Sequence, residues 1–361
     1  MKINVLTNWF DSPNETAFLY PLLRHKNGLK EEGFIIDYFN EISSKLLDCD
    51  AIIISSKFFS KQWEPHRIQE TLDTIDKLKK GKAKLIYADI SDSSGTVHMK
   101  MLGIIDLYIK NQVYKNKSNY MKSYYGYRIY THYYNKQFKI KDKFPSYSEP
   151  AFNAKDLNKI QIGWNSSLGN YGNLSFYFQK LINNFGLKLT LPYPKPNFIP
   201  INRRTFDVHA RFNLKYNRNT ISFQRTLLKE KLENFSLTNK KINRYLYYKE
   251  ILNSKIILSP FGLGEITLKD FEVFLTGGFL IKPNLNHLET WPNLFVENKF
   301  FKSHKWDLSD LNEIIDFCLS NINFISELAY NGQKNYLSYI KGESAKINFV
   351  NQFKLIINKL K

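Results

Sequence analysis

The sequence predicts an α/β protein of two Rossmann-like domains whose parallel sheets face a cleft. Three observations carry that expectation. Short apolar or β-branched runs alternate with helical spacing on both sides of residue 200, the pattern of parallel sheets wound with helices. Between the two halves stand Pro192, Pro194, Pro196 and Pro200, a density that forbids regular structure and makes a stiff linker. The length, 361 residues, suits two domains, each with its own core. The divisions read as 1–190 for the first domain, 191–202 for the linker, 203–340 for the second and 341–361 for a terminal helix.

Composition narrows the function classes. Apolar residues make up 43% and charged residues 24%, a globular balance. The longest apolar runs fall far short of a membrane span. The N-terminal Met1-Lys2-Ile3-Asn4-Val5-Leu6 meets polar Thr7-Asn8 at once, unlike a signal peptide. Cys49 and Cys318 are the only cysteines, too few for a disulfide framework or a structural zinc site. A cytoplasmic protein fits. Lys and Arg outnumber Asp and Glu by 52 to 33, a formal charge of +19. Such a field attracts polyanions: nucleic acid, anionic headgroups or phosphorylated substrates. The bias toward Lys, Asn, Ile, Phe and Tyr is also what an AT-rich genome produces.

In chain order, Lys2 to Thr7 reads as a strand, Asn8 to Asn14 as a polar loop and Glu15 to Lys30 as a helix. Strands follow at Phe34 to Phe39 and Ala51 to Ser55, a helix at Pro65 to Lys80, and a strand at Lys84 to Ala88. Ligands of such sheets sit beyond the carboxyl ends of the strands. That rule places Thr7-Asn8, Ser55-Ser56 and Asp89 to Asp92 on one crevice. Asp92, then Asp89, are the general-base candidates, with His98 as alternative. Turn formation and helix capping account for the same aspartates.

Lys110 to Lys143 holds nine Lys or Arg, one acid, Asp142, and eight Tyr. An anionic membrane face, a glycan platform, a single-stranded nucleic acid site and an edge hairpin with a solvated basic face all suit it. No nucleic-acid-binding motif accompanies the stretch, which ranks nucleic acid last. Lys159 to Trp164 is another strand, Asn165 to Gly172 a loop and Leu174 to Phe185 a helix.

The second domain opens with a strand over Thr205 to Phe212, and Thr220 caps a helix to Asn234. Arg211, Arg218 and Arg225 follow the strand, where an arginine suits a bidentate grip on a diphosphate. A helix over Lys241 to Asn253 leads into the most informative stretch, Ile256 to Trp291. Ile256 to Leu258 is a strand, Gly262 and Gly264 allow a sharp turn, and helical spacing begins near Glu265. Gly277-Gly278 stops the helix, and Phe279 to Ile281 resumes a strand. A glycine turn into a helix start is an anion site, typically for phosphate. Thr267 adds a hydroxyl and Lys269 a charge. Glu272, two turns in, is placed to accept ribose hydroxyls. His287 and Glu289 follow on a loop at the same edge, positioned for a sugar or base. Helices over Ser309 to Leu319, Phe324 to Tyr339 and Ser344 to Leu360 end the chain.

SPFGLGE with DFEVFLTGGFLIKP resembles the nucleotide-sugar half of GT-B glycosyltransferases, above all bacterial capsule and lipopolysaccharide enzymes, the exostosin-like group and family-1-like domains. The likeness spans roughly Tyr247 to Phe295. Glu272 falls on the family's helix glutamate, with Thr276-Gly277-Gly278 as its small-residue break. The retaining branch's second glutamate falls on Gly264, one residue from Glu265, so the stereochemical class stays open. The resemblance implies a GT-B fold with a terminal helix crossing back to the first domain, and it favours Arg211 as the basic residue of the second domain's first loop. It implies a nucleotide-sugar donor, a glycan or lipid-linked acceptor, and a seat in the cytoplasm or on the inner face of the plasma membrane. No metal is needed where helix N–H groups, Arg211 and Lys269 neutralise the diphosphate. The rival expectation is a non-catalytic glycan- or membrane-binding module of the same fold.

Overall fold

The computed structural model describes residues 1–59, 67–172, 195–232 and 242–360. The helix expected over 174–185 and the first residues of the linker, 191–194, lie outside them.

Among the described residues, seven strands belong to the first half of the chain: β1 (Lys2–Leu6), β2 (Ile35–Phe39), β3 (Ala51–Ser55), β4 (Lys84–Asp89), β5 (Leu107–Lys110), β6 (Gln112–Tyr114) and β7 (Ile160–Ile162). All but β6 form one parallel sheet, ordered β2-β1-β3-β4-β5-β7. All five residues of β3 are buried, as a strand covered on both faces requires. The strand order reverses between β1 and β3, a switch point that opens a crevice at their carboxyl ends. The expected long first helix divides at His25 into α1 (Pro13–Arg24), capped by Ser12, and α2 (Lys26–Glu31). The short α3 (Ser44–Leu47), α4 (Ile68–Lys79) and α5 (Ile129–Phe138) complete this half.

The second half contributes β8 (Phe206–His209), β9 (Ser254–Leu258), β10 (Phe279–Pro283), β11 (Leu288–Thr290) and β12 (Lys302–His304). All but β11 form a second parallel sheet, ordered β12-β10-β9-β8. Around it lie α6 (Asn219–Lys231), α7 (Arg244–Leu252), α8 (Leu268–Thr276), α9 (Leu311–Ser320) and α10 (Ile322–Ile340). Gly277 ends α8 at φ +63°, a left-handed cap that costs glycine little. The last helix, α11 (Gly342–Asn358), returns to the first domain. Phe353 stands edge-on to Phe34 and Phe349 edge-on to Trp164, both at 5.3 Å. Gln352 donates to the carbonyls of Ile162 and Gly163.

The Tyr- and Lys-rich stretch sends most of its tyrosines into the interior. It ends β5 and forms β6 and α5. Strand β6 pairs antiparallel with β11 of the other domain. Tyr114, Tyr120, Tyr125, Tyr130 and Tyr134 are buried. Tyr130 donates its hydroxyl to the Gly262 carbonyl and Tyr134 to that of Trp306, both at 2.8 Å. A tyrosine ring adds apolar contact while its hydroxyl meets a carbonyl, so the stretch acts as an interdomain clamp. Thr220 is not the cap of α6. Arg218 occupies that position, and the Asp142 carboxylate accepts from the Thr220 N–H and hydroxyl at 2.9 and 3.0 Å.

Candidate active site

A cleft of about 570 Å³ opens where the carboxyl ends of both sheets meet. Its first-domain wall carries Asn14, Lys57, Asp92, Gln112 and Ser166; its second-domain wall carries Arg211, Tyr216, Arg225, Ser259, Thr267 and Lys269.

Two cations on the second wall meet no carboxylate. Arg225, on α6, is 5% exposed. Its guanidinium donates to the Phe261 and Asn213 carbonyls at 2.7–2.9 Å and lies 4.6 Å from the Tyr216 ring centroid. Lys269, in the first turn of α8, donates to the Leu258 and Arg211 carbonyls at 2.8 and 3.1 Å. Burial pushes its ammonium down to about 7. Among the described residues, neither side chain has an ion-pair partner within 4.0 Å, so their charge is left for a ligand. Thr267 caps α8, and its hydroxyl lies 3.0 Å from that of Ser259. Asp270 closes the capping box and is held by the buried Lys282 at 2.8 Å. This pair anchors the helix start beside the cleft.

On the first wall the carboxylate is Asp92, which is exposed. Asn14 donates to its Oδ1 at 2.7 Å, and among the described residues none donates to Oδ2. The Asp92 carbonyl accepts from the Gln112 amide and lies against Gly264. A Cβ at Gly264 would stand 1.8 Å from that carbonyl oxygen, so this glycine serves the approach of one domain's backbone to the other. Gly264→Ala should destabilise the protein by roughly 1–3 kcal/mol, read as a lower melting temperature. An unchanged melt would mean the domains do not meet there.

Several expected site residues stand elsewhere. Asp89 is fully buried at the end of β4, bonded to Lys110 Nζ at 2.5 Å and to the Tyr108 hydroxyl at 2.7 Å. Burial alone raises its pKa, but the Lys110 charge overrides this and holds the carboxyl at about 2. Such a group is a poor base. His98 packs edge-on to Tyr87, outside the cleft lining, and burial lowers its pKa to about 4. The Thr7 and Ser55 hydroxyls turn inward to the buried Glu15.

In the second domain, Glu265 is fully buried and accepts from the Ser94 N–H and hydroxyl at 3.1 and 2.6 Å. It joins the domains rather than holding a donor. His287 lies 3.9 Å from it, and Glu289 points outward from β11. Glu272 is 4% exposed, with its carboxylate taken by Arg244 and by the Tyr247 hydroxyl at 2.8 Å. A buried carboxylate must be paired, and this pairing removes Glu272 from the cleft surface and leaves Tyr247 to line it. Arg211 does line the cleft, gripped by Glu250 through two bonds of 2.8 Å. Arg218 faces Asp142 and Ser146 instead. Gly262, Gly264, Thr267 and Lys269 do line the cleft, although the Gly262 N–H is spent on the Gly264 carbonyl.

Two parallel sheets facing one cleft, with the last helix laid back on the first domain, decide the architecture. The fold is GT-B. No protein-family model matches the chain, and no curated protein matches it. Among solved structures it is similar to Anabaena HepE in complex with UDP, at 10% identity and a TM-score of 0.47, over 99% of this chain and 100% of that one. It is similar also to a glycosyltransferase from Rickettsia africae, at 10% identity and a TM-score of 0.44, over 100% and 98%. A third is the sucrose-phosphate synthase of Thermosynechococcus elongatus, at 10% and 0.43, over 99% and 100%.

The sequence signal for Lys57 and Asn14 is only their place after strands of the first sheet. Arg225 is visible as a helix arginine, but its turn into the cleft depends on the carbonyls of Asn213 and Phe261.

Proposed function

We propose that this GT-B protein is a glycosyltransferase that moves a hexosyl or pentosyl group from a nucleotide-activated donor to a glycan or lipid-linked acceptor. The observation that carries the reading is the division of charge across the cleft: Arg225 and Lys269, with no ion-pair partner among the described residues, on one wall, and Asp92, whose Oδ2 accepts from no described residue, on the other. The cations and the Thr267 and Ser259 hydroxyls neutralise the leaving diphosphate, with no metal invoked, which is stabilisation of charge as it develops. Asp92 takes the proton from the attacking acceptor hydroxyl. Glu272 acts at one remove by fixing Tyr247. The likeness of residues 259–283 to capsule and lipopolysaccharide enzymes supports a place in surface polysaccharide assembly, in the cytoplasm or at the inner membrane face.

A thermal-shift screen against nucleoside diphosphates and nucleotide sugars tests this. A ligand at about a hundred times its Kd should add about 2.7 kcal/mol of stability. No shift with any of them would remove the donor-site reading.

Lys269 gives the binding a pH signature. A bound diphosphate favours its charged form, whereas the free cleft lets it deprotonate near 7. Binding therefore takes up a proton above that pH, and affinity falls as pH rises, by up to about tenfold per unit between roughly pH 7.5 and 9. Calorimetry should show this fall in the wild type and a flat profile in Lys269→Arg. A flat wild-type profile would mean Lys269 does not touch the diphosphate.

A further inference from the structure

The loop that carries Asp92 is tied down almost residue by residue. Lys110 Nζ donates to the Ser91 hydroxyl at 3.1 Å and to the Thr96 carbonyl at 2.7 Å. Asn14 holds the Asp92 carboxylate, and the Gln112 amide holds its carbonyl. The Tyr120 hydroxyl donates to the Ser94 carbonyl at 3.1 Å. These ties all come from the first domain. One more comes from the second: Glu265 accepts from both the N–H and the hydroxyl of Ser94.

The turn from Gly262 to Glu265 is held in the same way, and partly from across the domain boundary. Its four carbonyls are all taken. Tyr130 and Arg128, of the first domain, hold those of Gly262 and Leu263. The Gly262 N–H holds that of Gly264, and buried Lys282 holds that of Glu265 at 2.8 Å. The Gly264 backbone meets the Asp92 carbonyl with no room for a Cβ. The loop and the turn are therefore one unit, built from both domains. Glu265 is fully buried, and hydrogen bonds to an ionised group are the short, strong ones. Two of them to one residue fix direction as well as distance. Ser94 stands two residues from Asp92 and Glu265 two from Thr267, so this pair sets the spacing between Asp92 and the start of α8.

We propose that Glu265 is a positioning residue: through Ser94 it fixes the Asp92 carboxylate against the proposed diphosphate site, so that the cleft is assembled before the donor arrives. The positioning role rests on the reading of Asp92 as the base and of the second wall as the donor site. A displacement of about 1 Å between reacting groups costs on the order of 10²-fold in rate, and that is the scale on which this contact acts.

Glu265→Ala should lower kcat by about 10²-fold and leave nucleoside diphosphate affinity within about twofold, since the cations of the second wall stay in place. Glu265→Gln keeps the shape, with an oxygen for the Ser94 N–H and an amide for the Ser94 hydroxyl. It should return kcat to within about tenfold of the wild type. Ser94→Ala should also lower kcat, and combining it with Glu265→Ala should cost almost nothing further, because the two act through one contact. Additive losses, normal turnover by Glu265→Ala, or affinity lost in step with kcat would each overturn the positioning role. If Glu265→Ala does not fold, Ser94→Ala carries the test, and its turnover at the wild-type rate would overturn the role. Small-angle scattering tests the assembled cleft without any transfer. The radius of gyration should be that of domains in contact, and none of the common nucleoside diphosphates should shrink it. A wider free protein, or one that contracts with nucleotide, would overturn the assembled cleft. No thermal shift with any nucleotide would remove the donor site and the positioning role with it, whereas the scattering result stands on its own.

Discussion

Asp92→Asn should lower the rate of sugar transfer by about 10²–10⁴-fold, the usual contribution of a positioned general base, with donor affinity changed by less than about twofold. The substitution keeps the size of the side chain and its acceptor for the Asn14 amide. It removes the charge that lets Oδ2, which accepts from no described residue, take a proton in the cleft that Asp92 lines. Because the proposed diphosphate site lies on the opposite wall, the loss should appear in kcat rather than in binding. Transfer, or slow hydrolysis of the donor with water as acceptor, gives the rate, and calorimetry with the nucleoside diphosphate gives the affinity. Normal turnover would place the base elsewhere. Loss of donor affinity in step with rate would mean that Asp92 shapes the cleft rather than taking a proton.

Asp89→Asn should act on stability, by about 3–5 kcal/mol, because removing one member of a buried ion pair strands the other. Lys110 is 2% exposed; its remaining partners are the Ser91 hydroxyl and the Thr96 carbonyl. Neither carries charge. The pH dependence has a definite sign. A carboxyl held at about 2 when folded, against an ordinary value near 3.9, adds stability that is complete above about pH 4 and lost as pH falls through about 2. Denaturant unfolding at neutral pH should show the loss, and the variant should lack this acid-dependent step. If Asp89→Asn instead unfolds like the wild type but no longer turns over, Asp89 is catalytic after all and the assignment to Asp92 falls.

The two aspartates also show where reading the chain stops. They stand three residues apart after one strand, and nothing between positions 89 and 92 tells them apart. What separates them is β5. Its register sets Lys110 directly across from Asp89, and the ladder thereby claims that carboxylate for the core. Glu265 and Glu272 met the same fate. Each sits within or beside the anion-site pattern, and each was taken by a partner distant in the chain, Ser94 for one and Arg244 for the other.

Features that depend on local period and local chemistry were legible in the chain alone. They include the alternation of parallel strands and helices, the glycine stop at 277, the turn from Ser259 to Thr267 that lines the cleft, and Lys269 at the helix start. These follow from the backbone's needs within a few residues, where apolar spacing and glycine are decisive. Which charges are free was a matter of packing. A carboxylate or guanidinium turns to a ligand or to the core according to whether a buried partner meets it, and those partners come from positions up to 171 residues away. The eight tyrosines of the basic stretch were equally ambiguous as residues. Packing sent five of them into the interior around the join between the domains, and left Phe144 and Phe152, which no pattern had singled out, on the surface.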